Sequence, residues 1–114
     1  MAIKVYEQNQ ELLHIGREGE NFATTIIFDV NKQINNFGID GNFSLLILQE
    51  NQLFIENENI SYNNINKTLE WNVTNNYVLK KGEGKCQIVY IINNIISKSD
   101  IYNIIVTEGF MEEE

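Results

Sequence analysis

Residues 81–108 read KGEGKCQIVYIINNIISKSDIYNIIVTE, two long apolar runs on either side of Asn93-Asn94. Asn tolerates the left-handed backbone that a two-residue hairpin turn demands, so the stretch predicts two strands joined by a tight turn. Side chains of a strand alternate between its faces. Over the first arm, Lys85 to Ile92, Cys86, Ile88, Tyr90 and Ile92 share one face. Strict alternation over the second arm, Ile95 to Thr107, puts Ile96, Lys98, Asp100, Tyr102, Ile104 and Val106 on one face. Ile95, Ser97, Ser99, Ile101, Asn103 and Ile105 then take the other. Arms this apolar belong in the middle of a sheet, and the rest of the chain must supply shorter strands to cover them.

Working outward from the hairpin, TLEWNVT at Thr68–Thr74 alternates cleanly. Leu69, Trp71 and Val73 face inward there, and Glu70 and Asn72 outward. FSLLILQ, Phe43–Gln49, is apolar on both faces and reads as a central strand. ATTIIFDV at Ala23–Val30 sets Ile26, Phe28 and Val30 on one side and Thr25, Ile27 and Asp29 on the other. Shorter strands are expected at Ile3–Tyr6, around Leu12, Leu13 and Ile15 up to Gly16, at Leu53–Ile55 and at Ile60–Tyr62. Between Ala23–Val30 and Phe43–Gln49, Ile34 and Phe37 lie three residues apart, as on a helical turn. Asn31 is placed to cap that turn and Gly38 to end it. A second helical turn is expected over Asn75–Leu79.

With 114 residues, the chain is one domain able to bury its own core. Ile dominates a hydrophobic content of 43% and, being β-branched, favours strands; Pro is absent. The fold class expected is all-β: a β-sandwich of about eight short antiparallel strands with one or two helical turns. Residues 1–109 form the β-sandwich domain, and residues 110–114 an acidic tail or the start of a linker.

The net charge of −8 repels phosphates, which argues against nucleic acid and against an anionic membrane surface as partners. The opening MAIKVYEQNQ lacks the apolar core of a signal peptide, and no run approaches a membrane span. A single cysteine, Cys86, excludes an internal disulfide and fits a reducing interior or a particle assembled there.

Catalytic chemistry finds little to work with. His14 is the single histidine, so a two-His metal site within one chain is excluded. Flanked by Leu13 and Ile15, it reads as a strand-edge residue with one satisfied nitrogen. Cys86 has only Lys85 near it, on the opposite face, and reads as a buried inert thiol. Gly82-Glu83-Gly84-Lys85 lacks the spacing and the following helix of a phosphate loop, and Gly16-Arg17-Glu18-Gly19 fails the same test. Asp29, Asp40 and Asp100 do not form the alternating ligand pattern of a calcium loop. The triplets at Asn42, Asn59, Asn66 and Asn72 are what chance gives in so Asn-rich a chain. No catalytic, cofactor-binding or metal residue is therefore assigned, and the binding residues stay open. Aromatic rings are the remaining candidates. Exposed, they would stack sugars; Trp71, between Leu69 and Val73, reads instead as core.

Three segments, in order, resemble the N-terminal domain of baseplate upper proteins, tail-fibre or minor structural proteins of phages and prophages of low-GC Gram-positive bacteria. They are Gly19-Glu20-Asn21 with Ala23–Val30, followed by Phe37-Gly38; the Trp71 strand Thr68–Thr74; and Gly82–Val106 with Lys98-Ser99 and Ile101-Tyr102 near its end. Together they span about Val5 to Gly109. The resemblance implies a non-enzymatic structural domain without cofactors. It would anchor a baseplate arm or tail fibre to the phage tail by protein–protein contacts. Other phage tail or baseplate proteins are the implied partners, with a homo-oligomer among the expectations. The implied location is the virion, after synthesis in the bacterial cytoplasm. The rival expectation is a carbohydrate-binding module that uses exposed aromatics.

Overall fold

The computed structural model describes residues 2–5 and 12–109, of which 2–5 as backbone only. Tyr6, the expected end of the first strand, and the expected tail at 110–114 lie outside the described residues. Among the described residues nine strands and one α-helix follow in order: β1 (Ala2–Val5), β2 (Leu12–Arg17), β3 (Thr24–Asp29), α1 (Asn31–Phe37), β4 (Asn42–Gln49), β5 (Gln52–Glu56), β6 (Ile60–Asn63), β7 (Thr68–Asn72), a 3₁₀ turn (Asn75–Tyr77), β8 (Gly82–Ile92) and β9 (Ile95–Thr107). They form a four-stranded sheet, β1-β3-β7-β6, and a five-stranded sheet, β2-β9-β8-β4-β5. The protein is an all-β sandwich, as its alternating patterns require. It is not wholly antiparallel: β1 runs parallel to β3, and β2 parallel to β9. Nor are all its strands short, since β8 has 11 residues and β9 has 13.

The core lies between the sheets. The four-stranded sheet contributes Ile26, Phe28, Leu69 and Trp71. The five-stranded sheet contributes Leu13, Ile15, Leu45, Ile47, Cys86, Ile88, Tyr90, Tyr102, Ile104 and Val106. Phe28 and Tyr102 meet across the layers with ring centroids 5.0 Å apart. The inward faces expected for β3, β7 and β8 are all buried.

The β8–β9 hairpin turns at Asn93, whose φ of +54° uses the left-handed freedom of Asn. Strict alternation fails in β9. Gln87 pairs with Ile101 but Val89 pairs with Lys98, so β9 carries one extra residue there. This bulge is held by Ser99: its hydroxyl accepts the Ile88 N–H at 2.9 Å, and its carbonyl accepts Gln87 Nε2 at 2.7 Å. A one-residue bulge moves every following side chain to the other face. Ile95 and Ser97 consequently oppose the inward Ile92 and Tyr90. Ile96 and Lys98 stand outside, not on the face of Tyr102.

Helix α1 spans the residues expected, and Gly38 ends it with φ +95° and an N–H donated to the Ile34 carbonyl at 2.8 Å. Its start differs. Asn31 does not cap it; Asp29 Oδ1 accepts the Asn31 backbone N–H at 2.9 Å and its side-chain amide at 3.0 Å. Ile34 enters the core, whereas Phe37 is exposed at the edge.

The loop after α1 is fixed from below by Tyr90. Its buried hydroxyl donates to the Gly38 carbonyl and accepts the Gly41 N–H at 3.0 Å. Gly41 is required there, because a Cβ would lie 2.7 Å from the Tyr90 ring and 2.6 Å from the Ile91 carbonyl oxygen. Tyr90→Phe leaves the ring in place and removes both bonds. It is expected to cost about 1–3 kcal/mol in urea unfolding, the penalty of unpaired buried backbone groups.

An exposed aliphatic sheet face as candidate functional site

β4 carries apolar residues toward both faces, and only one face meets the core. Leu45 and Ile47 are fully buried; Leu46 and Leu48 point away from the sandwich. Register carries this outward set across the five-stranded sheet. One row reads Ile55, Leu46, Gln87, Ile101 over β5, β4, β8 and β9. The next reads Leu53, Leu48, Lys85, Asn103, Leu12 over all five strands. Nearer the hairpin tip, Ile91 opposes Ile96. Leu53, Ile55, Ile96 and Ile101 are 60%, 63%, 64% and 58% exposed. Values above one half mean that no described element covers this face. Leu46, Leu48, Leu53 and Ile101 line a shallow recess of about 150 Å³, flanked by Lys85 and Gln87.

The charge on the face is unlike that of the chain. Lys85 and Lys98 project from it with Glu83 near one end, whereas the whole sequence carries 16 acids against 8 bases. Neither lysine forms an ion pair among the described residues, where the pairs present are Lys80–Glu50 and Lys81–Glu108, both at 3.6 Å. Scattered exposed aliphatics are ordinary, but a contiguous patch rimmed by polar groups marks an interaction surface.

The residues weighed for chemistry are spread apart. His14, on the edge strand β2, places Nε2 2.7 Å from Thr107 Oγ1, in keeping with a satisfied strand-edge role. Cys86 is buried, and burial pushes its thiol up to about 12, far from nucleophilic. Gly82–Lys85 is strand and not loop. Among the described residues no three His, Cys, Asp or Glu side chains gather around a metal-sized site. Trp71 is fully buried, its ring edge-on to Tyr77 at 5.7 Å. Of the described aromatic rings, only Phe22 and Phe37 are exposed, and they belong to separate segments, the turn before β3 and the end of α1.

One polar group was missed by sequence reasoning. Glu56, at the end of β5, is buried; Oε1 accepts the Tyr77 hydroxyl at 3.0 Å, and Oε2 accepts the backbone N–H groups of Glu58 and Asn59 at 3.0 and 2.9 Å. Burial pushes the carboxyl up, and these bonds pull it back below the ordinary carboxylate value. The site ties β5 to the 3₁₀ turn and has a structural character. The outer face was missed for another reason: its signal, FSLLILQ followed by LFI, is the same run that suggested burial on both sides.

Against known proteins, the chain matches no family model and no curated sequence.

Proposed function

We propose that this domain is a non-enzymatic docking module that anchors a baseplate arm or tail fibre to a phage tail, the role implied by the resemblance of its three segments. Its partners are other tail or baseplate proteins, and its place is the virion. The observation that supports docking is the bare aliphatic face of the five-stranded sheet. In water such a face is held out of contact at a cost, and a partner's surface removes that cost. A persistent anchor needs an interface of at least about 1,000 Å² in total, for which a sheet face is a suitable platform. The rival, sugar stacking, has less support, because the exposed rings Phe22 and Phe37 do not form a platform.

A pull-down with the full chain tests this against two baits: tail and baseplate proteins of one phage, and purified cell-wall polysaccharide. Capture is expected from a baseplate or distal-tail protein. It is expected to be lost in Ile101→Lys, which puts a charge in the middle of the face without touching the core. Saturable polysaccharide binding with no tail protein captured would overturn the proposal and promote the sugar-binding module.

A further inference from the structure

Strand β5, QLFIE, ends the five-stranded sheet, and no described segment bonds to its outer edge. A bare edge is a template for another strand, and proteins normally blunt it with charge, Pro or a bulge. The other edges are blunted or short. β1 and β6 have four residues each; β2 contains Arg17 and an irregular register between His14 and Gly16. β5 has neither Pro nor bulge, and its one acid, Glu56, is bonded to Tyr77 and to the loop that follows, so it sets no free charge against an incoming strand.

We propose that β5 is a self-association edge: two copies of the chain pair antiparallel through it, centred on Phe54, and join their five-stranded sheets into one. The register follows from the β4–β5 turn. Glu50 and Asn51 both have positive φ, +49° and +63°, and the two-residue turn closes on the pair Gln49–Gln52. Gln52 therefore bonds toward β4. Backbone direction alternates along an antiparallel strand, so Phe54 and Glu56 also bond toward β4, and Leu53 and Ile55 send their N–H and C=O groups outward. A two-fold axis through Phe54 sets Leu53 against Ile55 of the second copy, and Ile55 against Leu53. The outward backbone groups of both residues are satisfied in that register and in no half-step from it.

The side chains agree with the backbone. On the outer face an aliphatic meets an aliphatic, so the patch of Leu46, Leu48, Leu53 and Ile55 runs on unbroken into the second copy. On the inner face Phe54 meets Phe54, and Gln52 meets Glu56. No like charges are opposed along the paired strands, which matters for a chain of net charge −8. The contact is closed by its symmetry, so it stops at a dimer.

Sedimentation velocity of the full chain over a concentration series tests the dimer. A monomer–dimer equilibrium is expected, weakened at least about tenfold by Ile55→Lys. Ile101→Lys, on the same face but three strands further in, is expected to leave it unchanged. Both positions are more than half exposed, so both variants keep the fold. Under mild oxidation Phe54→Cys is expected to give a covalent dimer and Gln52→Cys not to, because only residue 54 faces itself. A chain that stays monomeric at its highest soluble concentration overturns the inference. So does a dimer that survives Ile55→Lys but is lost in Ile101→Lys, which would mean stacking face to face. Failure here leaves the tail-docking proposal standing, since capture by a tail protein is read separately.

Discussion

Trp71→Ala is expected to lower the unfolding free energy by roughly 3–5 kcal/mol, among the largest losses a single substitution gives. The ring is fully buried in the interior strand β7, between Ile26 of β3 and Ile60 of β6, with Tyr77 edge-on at 5.7 Å. Ile26 belongs to a strand paired on both sides, Ile60 to a strand paired with β7 itself, and Tyr77 to a turn held by other bonds, so they cannot collapse into the space left behind. The loss is that of the buried surface plus the cavity. In a domain of this size it corresponds to a fall in Tm on the order of 15 °C or more. The indole N–H is buried without a partner among the described residues. Trp71→Phe removes that orphan along with part of the volume and is expected to cost less than half as much. Urea unfolding of the two variants checks the order. A melting temperature unmoved by Trp71→Ala would put the ring at the surface, as a sugar platform requires.

Glu56→Gln is the second large effect, expected at about 1.5–3 kcal/mol at neutral pH. The carboxylate takes the Tyr77 hydroxyl and the N–H groups of Glu58 and Asn59, and an amide cannot accept all of them with full charge. Its pH dependence has a definite sign. Burial raises the folded carboxyl, and its hydrogen bonds together lower it by more, leaving it below the ordinary value of 4.5. A group depressed on folding stabilises above its unfolded value, and that stability is lost as the pH falls through the folded one. Wild type and Glu56→Gln should therefore differ most near neutral pH and converge as the pH falls below the lowered folded value. Equal differences at both ends would show that the charge contributes nothing and only shape matters.

Much of the sandwich was legible because it rests on local rules. Alternation at Leu69, Trp71 and Val73, and at Cys86, Ile88, Tyr90 and Ile92, is a property of the strand itself, and each of these residues is buried as the pattern requires. Asn93 and Gly38 supply backbone angles that other residues resist, so the hairpin turn and the end of α1 could be read without knowing their neighbours. Tertiary structure decided what depends on a partner strand or a second layer. The bulge at Ser99 exists because β9 must fit β8, and it reverses the face of Ile96 and Lys98 against the sequence pattern. The parallel pairings of β1 and β2 are choices between distant segments that no local signal encodes. By sequence Glu56 is one acid among 16, and its buried place depends on Tyr77, far along the chain, which donates to it. The outer face is the sharpest case. Leu46, Leu48, Leu53 and Ile55 are written as a core would be, and only the layering of the two sheets leaves them bare. Hydrophobicity says that a residue favours burial; which surface buries it is settled by the rest of the molecule, or by another one.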